Sequence, residues 1–323
     1  MTRRILVCDG EQRTALAAVR SLGRAGYAPV VLSAVARPLA AASRYATATA
    51  RVADPLHEPA QFLTDVRDAV VRFRADLVLP TTEQSTLALS SGPEDAGSLP
   101  IAGPNRQAFL RVSNKQLVLA EAAQLGLEIP RQVVMHTPRE ELRGILDAAP
   151  YPVAIKSAVS VAAGERAQTT YARNAHELEA ILRALPAHRF PLLIQERIVG
   201  PGEGVFVLLH QGRLVASFAH RRIREFPPSG GRSVCAESTA QDPDLLAKSV
   251  ALLEHLGWDG PAMVEYKRDS RSGRPILMEV NGRLWGSLQL AVDAGVDFPV
   301  LVVRAALGEP LPEAPPVYRV GVR

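Results

Sequence analysis

The chain has 323 residues, 47% of them hydrophobic and 22% charged, enough for a sizeable core in at least two domains and too apolar for general disorder. Lys and Arg number 37 against 33 Asp and Glu, a net charge of +4 with no basic block, so nucleic acid is not an expected partner. The 2 cysteines, Cys8 and Cys235, stand far apart without metal-ligand spacing, which speaks against a disulfide scaffold or a cysteine zinc site and suits a reducing cytoplasm. The opening MTRRILVCDG holds an apolar run of only Ile5 to Cys8, too short for a signal segment. No stretch reaches the ~18 apolar residues of a membrane span, so a cytoplasmic protein without a membrane partner is expected.

Ile5-Leu6-Val7-Cys8 reads as a buried strand stopping at Asp9-Gly10. Residues 14–25 place Leu16, Val19 and Leu22 at helical i, i+3 spacing, and Gly26 closes the helix. A strand at 29–32, a helix at 62–74 and a strand at 76–80 follow. Strands interleaved with helices in this way predict parallel βαβ units, a small open α/β layer reaching to about Pro104. Glu83 lies just past a strand's carboxyl end, where such sheets place ligands, and reads equally as a helix N-terminal carboxylate facing the dipole. Asp9-Gly10-Glu11-Gln12 stands where a G-x-G-x-x-G would have to be, so dinucleotide binding has little support.

Further on, residues 113–126 predict a helix with Ser113 as N-cap and a stripe of Leu117, Ala120 and Leu125. Then come a strand at 133–135, a helix at 138–148, strands at 152–156 and 169–172, a helix at 175–184 and a strand at 192–195. Residues 205–210 and 213–220 form a hairpin around Gln211-Gly212, and 249–256 is helical. A second hairpin joins 262–267 to 275–280, followed by helices at 284–294 and 299–306. The Pro-rich end at 309–316 leads into 318–323, which starts like a strand and stops, as a cut end or a tail paired elsewhere would.

The second hairpin carries the strongest chemical pattern. Glu279 and Asn281 are two apart on one strand and so share a face, and the turn can bring Glu265 beside them. Each alone reads as a solvated strand charge; as a set, two carboxylates and an amide oxygen are hard donors suited to Mg²⁺ held between protein and nucleotide phosphates. Arg283 follows on the same face as a cation for phosphate. In Leu192-Leu193-Ile194-Gln195-Glu196-Arg197-Ile198, a strand runs into a polar pair and then a Pro-Gly loop bearing Glu203. That stretch reads as an ordinary strand exit, or as a linker whose backbone meets adenine and whose carboxylate holds ribose hydroxyls. Lys156 closes an apolar strand, either snorkelling or reaching a phosphate, and Lys115 is a weaker candidate of the same kind. Pro227-Pro228-Ser229-Gly230-Gly231-Arg232-Ser233 lies near Arg221, Arg222 and Arg224; it is a plain surface loop or an anion contact through Gly230, Gly231 and these arginines.

In order and spacing, these residues resemble the ATP-grasp superfamily over about residues 1–310, in the branch that contains carbamoyl-phosphate synthetase large subunit and biotin carboxylase. The resemblance implies an α/β and α+β architecture: a small parallel pre-ATP-grasp domain at 1–104, a two-lobed ATP-grasp domain at 105–190 and 191–310, and a tail at 311–323. Met263-Val264-Glu265-Tyr266 and Met278-Glu279-Val280-Asn281-Gly282-Arg283 are similar to the metal-binding strands, with Gly282 in place of the usual proline. It further implies adenine on Gln195, Glu196 and Ile198, ribose on Glu203, phosphates on Lys115 and Lys156, and metal on Glu265, Glu279 and Asn281. Catalytic charge stabilisation would fall to Arg283 and Lys156. The stretch 157–168, where the family's phosphate-covering loop is usually glycine-rich, has only Gly164. Residues 281–299 are similar to carboxylate–amine ligases of uncharacterised type. The implied activity is an ADP-forming ligase with ATP and Mg²⁺ (Mn²⁺ the alternative ion), joining a small carboxylate to an amine through an acyl phosphate, in a homodimer. Glu83, Arg221, Arg222, Gly230 and Gly231 are the candidates for substrate, at least one substrate being anionic. The rival reading is an ATP-binding regulatory or partner subunit of the same fold without turnover; a non-nucleotide α/β binding protein fits the joint pattern poorly.

Overall fold

The computed structural model describes residues 2–90, 99–138, 140–159, 161–162, 165–166, 169–226 and 231–323. By compactness the chain forms two units, each built from separated stretches. One contains Met1–Phe109, Gly204–Met263 and Asn281–Arg323, the other Leu110–Glu203 and Val264–Val280.

In the first unit, Ile5, Leu6 and Val7 are fully buried on the strand Arg4–Val7, because a parallel strand covered on both faces sees apolar surroundings throughout. Its sheet runs in the order Ala48–Arg51, Ala28–Ser33, Arg4–Val7, Leu77–Leu79, and every pairing is parallel. Val19 and Leu22 of the helix Arg13–Arg24 pack with Ile5, Val7 and Val31 on one face. Phe62, Val66 and Ala69 of Pro59–Phe73 pack with Leu6, Cys8, Val30 and Leu32 on the other. The predicted α/β layer is therefore present. The strand Ala48–Arg51 escaped prediction because it is a half-exposed edge with no apolar alternation. At the carboxyl ends, buried Asp9 accepts from the Thr81 backbone and from the hydroxyls of Thr81, Thr82 and Ser85.

The second unit holds an antiparallel sheet in the order Gln132–Met135, Leu192–Glu196, Val153–Ser157, Thr170–Ala172. Val153, Ile155, Leu192 and Ile194 pack against Leu178 and Leu182 of the helix Ala175–Ala184. By the two-residue period, Ala154, Lys156, Leu193 and Gln195 share the opposite face, with Leu193 beside Lys156 and Gln195 beside Ala154. A five-stranded sheet runs Arg232–Ser238, Arg213–Phe226, Gly202–His210, Gly260–Arg268, Pro275–Asn281. Both predicted hairpins are part of it.

Local details depart from the sequence reading where tertiary contacts outweigh spacing. The helix expected over 113–126 is Lys115–Gln124, with Asn114 rather than Ser113 as its N-cap, accepting from Leu117 N–H at 3.1 Å, and an unexpected helix, Arg106–Ser113, precedes it. The helix expected at 138–148 begins at Leu142, after a turn in which the Glu140 carboxylate accepts from His136 and Thr137. The one expected from 284 begins at Leu288, because Leu284 and Trp285 are packed into the core ahead of it. Residues 232–233, expected in a loop, start the strand Arg232–Ser238 paired to Arg213–Phe226. The end at 318–323 is not a strand, but Ser238 N–H donates to Val322 O and Gly321 N–H to Ser238 O, so that segment is paired elsewhere.

Candidate functional site

The second unit contains Lys115, Lys156, Gln195, Glu196, Ile198, Glu203, Glu265 and Glu279 of the residues expected to carry chemistry. Lys156 lies on the strand Val153–Ser157, on the face away from its helices. Two residues beyond that strand's Lys, Ala158 O accepts from Lys115 N–H at 2.8 Å, and Asn114 bridges to Val159, so the start of the helix Lys115–Gln124 is fixed beside it. Lys115 Nζ lies 3.4 Å from Glu279 Oε2, with side chains 12% and 28% exposed. Burial lowers the Lys156 pKa; the fields of Lys115 and Lys267 add to this, while Glu279 and Glu265 oppose it. Glu265, Glu279, Lys115 and Lys156 therefore lie within electrostatic reach of one another.

Lys267 joins them and was not anticipated. It lies two residues past Glu265 on Gly260–Arg268, which puts both on one face of the strand, and that period-2 relation was the available signal. Its Nζ is 3.5 Å from Ile198 O.

The linker after Leu192–Glu196 is anchored from both sides. Glu196 N–H donates to Arg131 O and Arg197 N–H to Pro152 O. Ile198 is buried with Ile276 and Met278. Gln195, 1% exposed, donates to Gln132 Oε1 at 2.8 Å, while its own Oε1 is buried without a hydrogen-bond partner. Such an orphan calls for a donor, and an exocyclic amine would supply one. Arg131 at 2.9 Å holds the Glu196 pKa below the usual carboxylate range, with Arg271 3.9 Å away adding to it. Glu203 is held by Arg268, whose Nε and Nη2 each donate at 2.7 Å.

In the first unit, Arg283 Nη2 donates to Asn281 Oδ1 at 3.0 Å and Nη1 to Leu284 O at 2.8 Å, so the two expected partners are locked in one orientation. Gly282 between them is covered by Trp258: a Cβ there would lie 2.4 Å from the indole Cη2. A side chain at this position would therefore press on the indole ring. Gly282→Ala is expected to cost about 1–3 kcal/mol of stability by overpacking. Denaturant unfolding should show a smaller loss in a Trp258→Leu background, because the two residues share the same volume.

Other expected substrate residues have partners of their own. Arg221 donates to Glu237 Oε2 through Nε at 2.9 Å and Nη2 at 2.6 Å. Arg222 donates to Glu225 at 3.1 Å and to Gly231 O at 3.2 Å, so the structure brings Arg222 and Gly231 together. Gly230 lies outside the described residues. Glu83 starts the helix Glu83–Leu89 and lies in its first turn, as the dipole reading holds. Of the stretch 157–168, Val161–Ala162 pairs with Glu165–Arg166; its residues 160, 163–164 and 167–168, and with them the expectation about loop closure, lie outside the described residues.

His220, 2% exposed, sits edge-on to Phe206 with Nδ1 3.3 Å from Ser287 Oγ. Burial, helped by Arg222, lowers its pKa to about 3. The unfolded chain then binds a proton that the folded chain refuses between the ordinary value of 6.5 and about 3. Stability therefore falls as pH drops through that window, by up to about 1.4 kcal/mol per pH unit from this group. His220→Asn should flatten this slope in urea titrations at successive pH values; an unchanged slope would assign it to other groups.

Among the described residues, no cluster of three His, Cys, Asp or Glu side chains forms a self-sufficient metal cage. Two glutamates beside three lysines are a donor set compatible with Mg²⁺ instead, which is usually held by one or two carboxylates together with phosphates. Among the described residues, no helix is long and apolar enough to cross a membrane.

Residues 188–323 match a family model described as ATP-grasp in the biosynthetic pathway with Ter operon. L-amino acid ligase from Bacillus licheniformis is similar in structure over 95% of this chain and 74% of its own, at 18% identity and a TM-score of 0.70. Biotin carboxylase from Campylobacter jejuni, in a β,γ-ATP complex, matches over 97% and 72%, at 18% identity and 0.75. The biotin carboxylase domain of Hydrogenobacter thermophilus 2-oxoglutarate carboxylase, a dimer in complex with MgADP, ADP and bicarbonate, matches over 99% and 73%, at 17% identity and 0.73. No curated protein matches the chain in sequence. The mixed α/β chain thus has the ATP-grasp fold that its motifs resemble.

Proposed function

We propose that this chain is an ATP-dependent, ADP-forming carboxylate–amine ligase acting on small molecules. The observation that carries the reading is the meeting of Lys115, Lys156 and Lys267 with Glu265 and Glu279 beside the Ile198 linker. Three cations facing two carboxylates make little sense in an empty core but match a metal–polyphosphate. The linker receives the adenine, with Gln195 Oε1 as a waiting acceptor, and Glu203 takes the sugar. Lys115 exchanges Glu279 for phosphate oxygens, and Lys156 holds the phosphoryl group being transferred. Glu265, Glu279 and Asn281 would hold Mg²⁺, which supplies charge neutralisation on the phosphates.

In the first step a substrate carboxylate oxygen attacks the γ-phosphorus and the bond to the β-bridging oxygen breaks, leaving ADP and an acyl phosphate. An amine nitrogen then adds to the acyl carbon, inorganic phosphate leaves, and the nitrogen loses a proton to form the amide. Lys156 and Arg283 stabilise the negative charge that develops. Arg222 and the Gly231 backbone are the proposed contacts for the anionic substrate. Calorimetric titration of ATP with and without Mg²⁺, followed by ADP release with pooled carboxylates and amines, tests this. Mg²⁺-dependent binding with release only when both pools are present is expected. Binding without turnover would favour the regulatory-subunit reading, and no binding at millimolar ATP would overturn both.

A further inference from the structure

Resting on the nucleotide reading above, we propose that Arg268 is a positioning residue that presents Glu203 to the sugar hydroxyls and so sets the preference for ribose over deoxyribose. Nε and Nη2 of Arg268 take one oxygen each of Glu203, both at 2.7 Å. A guanidinium fork engaged side-on uses one lone pair per carboxylate oxygen and leaves one on each for a hydroxyl. The carboxylate is thereby confined to one plane before any ligand arrives.

Arg268 can do this because it is itself immobilised against the same loop. Its backbone N–H donates to Pro201 O at 3.0 Å, and its Nη1 donates to Gly273 O at 3.0 Å. Gly200, at φ 153°, lies so close that a Cβ would come within 1.8 Å of Arg268 O. Ser270 then donates to Val199 O through both N–H, at 2.8 Å, and Oγ, at 2.6 Å. Residues 199–203 are therefore laid along residues 268–270 in a single register. With side chains 38% and 21% exposed, the ion pair adds little to stability, so its main consequence is orientation.

The test is calorimetry of the full chain with Mg²⁺ and either ATP or 2′,3′-dideoxy-ATP, on wild type, Arg268→Met, Arg268→Lys and Glu203→Gln. Wild type should bind ATP about tenfold more tightly than the dideoxy nucleotide, the value of one charge-assisted hydrogen bond. Arg268→Met and Glu203→Gln should bring that ratio close to one by weakening ATP alone, and Arg268→Lys should restore part of it. Equal weakening of both nucleotides in Arg268→Met, or an unchanged ratio, would make the pair merely structural and overturn the proposal. A wild-type ratio of one with a silent Glu203→Gln would also overturn it while the nucleotide reading stands. Wild type that binds neither nucleotide would remove both.

Discussion

Glu279→Gln is expected to abolish the dependence of nucleotide binding on Mg²⁺ while leaving the fold intact. Glu279 faces Lys115 at 3.4 Å and acts on Lys156, so its carboxylate restrains two lysines besides the metal-binding role proposed for it. The amide keeps the shape and removes the charge. Metal-free ATP should then bind at least as tightly as to wild type, because the lysines lose a competing anion. Added Mg²⁺ should bring no further gain, and turnover should drop by about 100-fold or more. Parallel titrations with and without Mg²⁺ decide it: a variant that keeps the full wild-type Mg²⁺ increment would exclude Glu279 as a metal ligand.

Lys156→Met should separate stability from binding with opposite signs. Burial holds the Lys156 pKa below its usual 10.5, with Lys115 and Lys267 adding and Glu279 and Glu265 only partly offsetting this. At pH below the folded value, both folded and unfolded chains carry the proton, and the folded chain bears the full cost of the desolvated ammonium. Between that value and 10.5 the unfolded chain binds more protons, so wild-type stability rises with pH. The methionine variant should thus be more stable at neutral pH, by on the order of 1 kcal/mol, with the gap closing towards pH 10. Its ATP affinity should fall by about 100-fold, since the cation proposed to hold phosphate is gone. Urea unfolding at several pH values with ATP titrations checks both, and a destabilised variant with unchanged ATP affinity would refute the assignment.

The site was legible to the extent that it follows local period. Glu279 and Asn281 share a face because strands alternate, and Lys156 was visible as a charge closing an apolar strand. Lys267 obeyed the same alternation, but a lysine on a half-buried strand looks like any solvated charge until Ile198 O is found beside it. Arg268 was invisible for another reason: its meaning depends on Glu203, 65 residues away. The arginines at 221 and 222 suggested an anion site, yet Glu237 and Glu225 share them.

The sequence by itself determined the alternating strands and helices, both hairpins, the buried faces and the residue types of the candidate site, since these depend on side-chain spacing within a few residues. Only the tertiary structure decided that Asn114 caps the helix after residue 113, that Arg232–Ser238 is a strand, that Trp258 fills the space beside Gly282, and which cation meets which carboxylate. Those outcomes depend on strand order and register between distant segments, which are set by the packing of whole faces and which no short stretch of chain encodes.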